Sequence, residues 1–149
     1  INFYNAYQDI LKKDPGAQIL SIHMSTGLSS TGLTAQSVSK DFNGKVTYID
    51  SHSIDRGLAF QVLEAGKMVQ EGSGIEEIIA RLKKVAEKTR IFLTLESLKN
   101  LVAGGRINKA TGLIGSFLNI KVGIEFIDDS IKTIIKGRGE KPLTNFLTS

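Results

Sequence analysis

No cysteine occurs in the sequence, so neither a disulfide framework nor a thiolate metal site is possible. Histidine is nearly as scarce. His23 and His52 are the only imidazoles, and a zinc site built on them needs carboxylates that no local spacing supplies, so no metal is expected. Tryptophan is absent and aromatics make up only 7%, which leaves the basic residues without the interleaved stacking groups of a single-strand nucleic-acid binder. A net charge of +4 and a pI near 9.3 invite that reading on their own. The sign is nevertheless spread along the chain, and Lys83, Lys84 and Lys88 share one helical stretch with Glu76, Glu77 and Glu87, the pattern of a solvated face. No nucleic-acid partner is expected. Apolar runs nowhere approach the roughly 20 residues that cross a bilayer, and the first residues do not read as a signal peptide. These features fit a cytoplasmic protein with no integral membrane segment, leaving open a transient contact with a membrane surface.

What is present is a soluble composition, 41% apolar and 23% charged over 149 residues, enough for one sizeable core or two small ones. One stretch organises the rest. Ile19, Leu20, Ile22 and Met24 suit a buried strand; five hydroxyl residues follow, Ser25, Thr26, Ser29, Ser30 and Thr31, punctuated by Gly27 and Gly32. A loop that opens a helix presents unpaired N–H groups and the positive end of the helix dipole, so this one reads as an anion cradle for a carboxylate or phosphate. The other reading is an ordinary strand-to-helix turn whose hydroxyls only cap the helix. No Lys-Ser or Lys-Thr pair follows the glycines, which disfavours a nucleotide phosphate loop.

Around that stretch the periodicities alternate. Phe3, Ala6, Tyr7, Ile10 and Leu11 predict an amphipathic helix ending at Asp14-Pro15-Gly16. Leu33, Ala35 and Val38 predict a second helix to Phe42, and Asn43-Gly44 turns into the strand Val46-Thr47-Tyr48-Ile49. This is a βαβ unit with parallel pairing. Asp50-Ser51-His52-Ser53 then opens a third helix, with Leu58, Val62, Ala65 and Val69 on its apolar face. Asp50, Ser51 and His52 are adjacent, which does not suit a catalytic triad. Ile75, Ile78, Ile79, Leu82, Val85 and Ala86 mark a fourth helix, and residues 91–95 a third strand in the alternating pattern. After residue 95 the pattern changes to a short helix at Leu98, Leu101 and Val102, a small-residue helix over 110–118, a hairpin turning at Asp128-Asp129-Ser130, and a last helix started by Pro142. The expectation is an α/β fold: a parallel-sheet βαβ domain with helices on both faces over 1–95, then an α+β domain with antiparallel strands over 96–149.

The motifs resemble the DegV family of bacterial fatty-acid-binding proteins, acyl carriers for a fatty acid kinase. They run in family order almost end to end: Phe3-Tyr4-Asn5-Ala6-Tyr7; Met24-Ser25-Thr26-Gly27-Leu28-Ser29-Ser30-Thr31; Ile49-Asp50-Ser51; Leu98 and Leu101 with Gly104-Gly105-Arg106-Ile107; Gly115-Ser116-Phe117-Leu118-Asn119-Ile120-Lys121; and Lys136-Gly137-Arg138-Gly139. Thr26 stands where the family pattern has Ser, Ser30 where it has Gly, Gly32 where it has Tyr, and Val122 where Pro follows Ile-Lys. Against that pattern the chain reads as a fragment, lacking an N-terminal strand and a C-terminal segment.

The resemblance implies a lipid-binding carrier rather than an enzyme, with no catalytic residue and no cofactor. Its partners would be a long-chain fatty acid and the kinase's catalytic subunit. Ser25, Thr26 and Ser29 would hold the carboxylate, and the acyl chain would be buried between the domains. The small Gly112 and Gly115 beside Phe117 and Leu118 suggest a helix packed close to something thin, which is either the core against the sheet or, given the resemblance, the acyl chain, with Gly115, Phe117 and Leu118 then as pocket residues. Arg106, Lys136 and Arg138, set among glycines, read as a surface facing the partner or its phosphate. The alternative is an enzyme acting on a phosphorylated or carboxylated small molecule, with the same loop as its anion site and Arg106 or Arg138 as clamp.

Overall fold

Asn2 opens the first helix: its side-chain Oδ1 accepts the Asn5 N–H at 3.1 Å. In the computed structural model, which describes residues 2–107, 110, 111, 120–139 and 141–148, this helix α1 spans Phe3–Lys13. Asp14 is extended (φ −137°), as the residue before Pro15 must be, and the helix stops there. The chain divides into two compact units, Ile1–Thr89 and Arg90–Ser149.

In the first unit, β1 (Ile19–His23) and β2 (Val46–Asp50) pair in parallel, Ile19 opposite Val46 and His23 opposite Asp50. Between them run α2 (Thr31–Ser39) and a short 3-10 turn, Lys40–Phe42, closed by Asn43 and Gly44 at positive φ. After β2 come α3 (Asp55–Gln70) and α4 (Ile75–Lys88). Helices cover both faces, as side-chain alternation along the strands requires. On one face, buried Tyr7, Ile19 and Val46 pack with Phe3, Leu11, Val38 and Phe42. On the other, buried Ala65, Ile78 and Leu82 pack with Leu20, Ile22, Ile49 and Met68.

The face of α3 differs from the expected one. Val62 and Val69 are about half exposed or more, at 48% and 62%, while Gly57, Gln61 and Ala65 are buried. Gln61 is turned inward because its Nε2 donates to the Ser51 carbonyl at 2.8 Å, satisfying a buried backbone acceptor.

The second unit is a sheet of order β3-β5-β6-β4. β3 (Ile91–Leu95) and β5 (Lys121–Ile127) are antiparallel, as are β5 and β6 (Ser130–Gly137), while the two-residue β4 (Ala110–Thr111) runs parallel to β6. The expected hairpin is present, turning on Asp128 and Asp129, both at positive φ. A short helix α5 (Lys99–Ala103) follows β3, and α6 (Lys141–Thr148) packs beside β5 and β6. Gly123 makes room for it: a Cβ there would lie 2.9 Å from the Phe146 ring.

Two expectations are corrected here. The boundary falls at Thr89/Arg90 rather than after residue 95, because β3 pairs antiparallel with β5 and so belongs to the second unit. Ala110 and Thr111, placed in a helix by their small-residue neighbours, form a strand on the edge of β6. Gly112, Gly115, Phe117 and Leu118 lie outside the described residues.

Candidate functional site

The carboxyl ends of β1 and β2 open into two loops on one edge of the parallel sheet, where open α/β sheets place their ligands. The loops are joined to each other. The Ser51 N–H donates to the His23 carbonyl and the Ser25 N–H to the Ser53 carbonyl, both at 2.9 Å. Ser51 Oγ donates to the Ser53 carbonyl and accepts the Ser53 N–H, each at 3.2 Å. Ser25 and Ser51 are fully buried, and Gln61 holds the second loop from α3. Buried hydroxyls and a buried amide thus replace the apolar packing that a loop of this composition cannot provide.

Each of the three hydroxyls expected at the site has a local partner. Ser25 Oγ accepts the Gly27 N–H at 3.0 Å, and its carbonyl accepts the N–H groups of Leu28 and Ser29. Ser29 Oγ donates to Thr31 Oγ1 at 3.1 Å and accepts the Thr31 N–H at 3.3 Å, so it closes the start of α2. Thr26 turns both its donors toward Asp50: its N–H and its Oγ1 reach Asp50 Oδ2 at 3.1 and 2.7 Å. Asp50 Oδ1 accepts the His52 N–H at 2.9 Å, an Asx turn that holds His52 at a φ of 48°. Of the three, it is Thr26 that turns to an anion, the chain's own Asp50 carboxylate, while Ser25 and Ser29 tie down the loop and the start of α2. Asp50 meets His52 through the backbone, and Ser51 Oγ donates to a carbonyl, an arrangement unlike a catalytic triad.

Below Asp50, Tyr7 Oη and His23 Nε2 each lie 2.7 Å from Ser21 Oγ. The His23 ring stacks on Tyr48 at 5.6 Å and meets Phe3 edge-on at 5.4 Å. Burial lowers the His23 imidazole below its ordinary value, with the Asp50 carboxylate pulling the other way. Burial raises the Tyr48 phenol, and Asp50 raises it further. Both rings are thus favoured in their neutral forms. Tyr48 Oη is buried without a hydrogen-bond partner among the described residues. Gly32, in the first turn of α2, passes directly over it: a Cβ there would lie 2.9 Å from Tyr48 Oη and 3.2 Å from His23 Cβ.

A concavity of about 430 Å³ borders this edge, with Tyr48, Asp50, His52 and Lys83 beside an apolar floor of Ile49, Ile79, Leu82 and Ala86. Among the described residues, neither unit by itself gathers three carboxylate or imidazole ligands for a cation. In the second unit, Arg106 follows α5 with its Nη1 donating to the Gly104 carbonyl at 2.6 Å. Lys136 is exposed near the end of β6 and Arg138 just beyond it.

Sequence reasoning missed Asp50 as the hub of the loop, and Gln61 and Tyr48 as its supports. The small residues Gly57 and Ala65, four before and four after Gln61, are the sequence signal that this helix face lies close to its neighbours.

The model of the DegV family, described as an uncharacterised protein family, matches residues 2–149. The chain belongs to the DegV family. A DegV domain-containing protein of Streptococcus pyogenes is 37% identical over 147 residues, 99% of this chain and 52% of that protein. A DegV protein from Thermus thermophilus, described by its fatty-acid binding, has a similar fold: TM-score 0.82 at 28% identity, over 98% of this chain and 53% of that one. A DegV protein from Eubacterium eligens, solved loaded with heptadecanoic acid, gives a TM-score of 0.79 at 26% identity, over 98% of this chain and 53% of that one. This DegV chain spans about half the length of the curated relatives it matches. At Gly32 a larger residue would strike Tyr48. No helix among the described residues is long and apolar enough to cross a membrane.

Proposed function

We propose that this chain binds a long-chain fatty acid and presents its carboxyl group to a fatty acid kinase, performing no chemistry itself. The carboxyl group sits at the loop of Ser25, Thr26 and Ser29, and Arg106, Lys136 and Arg138 face the partner. Gly115, Phe117 and Leu118 belong to the acyl pocket. The observation that carries the reading is the hydroxyl-rich loop at the carboxyl edge of β1 and β2, in a fold matched by DegV proteins described as fatty-acid binding. Exposed cations support the second part, because an acyl carrier whose carboxyl group receives a phosphoryl group needs positive charge facing an anionic donor.

Native mass spectrometry of the purified chain tests it. A co-purified mass equal to a long-chain fatty acid is expected, whereas a bound nucleotide or sugar phosphate in its place sinks the reading.

A further inference from the structure

A carboxylate accepts hydrogen bonds and donates none. Thr26 has one hydroxyl proton and directs it to Asp50 Oδ2; Ser29 directs its own to Thr31 Oγ1. Both hydroxyl protons are therefore already committed, and each oxygen keeps only lone pairs to offer a ligand. A ligand carboxylate arriving there would meet acceptors and, behind Thr26, a negative charge. A protonated carboxyl group would instead bring a donor for the Thr26 and Ser29 lone pairs.

The surroundings do not reverse this. From β1, His23 faces Asp50 with an imidazole that burial keeps toward its neutral form, and from β2, Tyr48 is a neutral phenol. His52 contributes its backbone N–H to Asp50. From α4, Lys83 borders the same concavity, but it is exposed, and a solvated ammonium is screened by water and salt. Asp50 also borders that concavity, so its charge acts on whatever enters.

We infer that Asp50 is a specificity-determining residue that makes this loop select the protonated carboxyl group of a fatty acid over its carboxylate. The inference rests on the fatty-acid reading above. Asp50 acts through Thr26, fixing that hydroxyl as an acceptor, and through its own charge, which disfavours a second anion beside it. In Asp50→Asn the charge is gone and the new amide can donate to Thr26 Oγ1, which frees the threonine proton to turn outward and receive a carboxylate.

The test follows the carboxyl ¹³C resonance of [1-¹³C]heptadecanoic acid bound to the full chain as pH is varied. In the wild type the bound carboxyl should keep its proton well above the ordinary carboxylate range of about 4–5. In Asp50→Asn its midpoint should fall by about one pH unit or more. A wild-type midpoint at or below that range overturns the inference, as does a midpoint unmoved in a folded Asp50→Asn protein. A second measurement needs no variant: heptadecanamide, neutral and carrying a donor, should displace heptadecanoic acid at pH 8 with equal or better affinity. Failure to compete within about ten-fold also overturns it. Absence of any protein-bound resonance at every pH counts against fatty-acid binding itself, so the two failures are distinguishable.

Discussion

At the level of single residues, the contact between Gly32 and Tyr48 sets two effects against each other. Alanine is the better helix former by about 1 kcal/mol, so Gly32→Ala in α2 gains propensity. Its Cβ, however, would sit 2.9 Å from a buried phenol oxygen and 3.2 Å from His23 Cβ, an overpacked contact of the kind that costs about 1–3 kcal/mol. The clash should win. Urea denaturation should show Gly32→Ala destabilised by about 1 kcal/mol net. In Tyr48→Phe the oxygen is removed, together with its unsatisfied hydroxyl, and the nearest ring carbon lies 3.3 Å away. The same Gly32→Ala change should then be neutral or stabilising, giving a coupling of about 1–2 kcal/mol in the double-mutant cycle. Additive effects would mean that the glycine is not there for the phenol.

Among the elements, α3 shows why a helix's buried face is not always its apolar one. Its periodic Leu58, Val62, Ala65 and Val69 predict one stripe, yet the helix is rotated so that Gln61 points inward and Val62 and Val69 outward. A backbone carbonyl at Ser51, buried beside the loop, has a larger claim on the helix than two valines, because an unsatisfied buried acceptor costs about 1–3 kcal/mol. Replacing Gln61 with Leu should therefore cost about 2 kcal/mol, even though the new side chain is apolar. Val62→Ala and Val69→Ala should each stay within about 0.5 kcal/mol. Chemical denaturation of the three variants decides it. A larger loss at the valines would restore the stripe predicted by periodicity.

On the scale of the whole molecule, the net charge of +4 is a property of its surface rather than of its fold. Exposed Arg138 follows the end of β6, with Gly139 after it at positive φ. If it faces the kinase, Arg138→Glu should leave fatty-acid binding within about two-fold. The same change should slow phosphorylation of the bound acid about ten-fold at low salt, and less at high salt, because steering between exposed charges is screened. Equal loss of binding and phosphorylation would place Arg138 against the ligand instead.

Much of this protein was legible from residue order alone. The strand–loop–helix at residues 19–31, the parallel βαβ unit and the hairpin turning on Asp128 and Asp129 follow from periodicity, hydroxyl clustering and turn chemistry, which are local and act within a few residues. Hydroxyl clustering also marked the loop as one able to hold an anion or to cap α2. Only the folded chain set Thr26 against Asp50, because the two are 24 residues apart and meet through the register of β1 with β2. The same holds for β3. Its apolar run suits either a parallel or an antiparallel neighbour, and only the backbone hydrogen bonds it makes with β5 assign it to the second unit. Local composition determines what an element is; the partners that satisfy its polar groups determine where it goes.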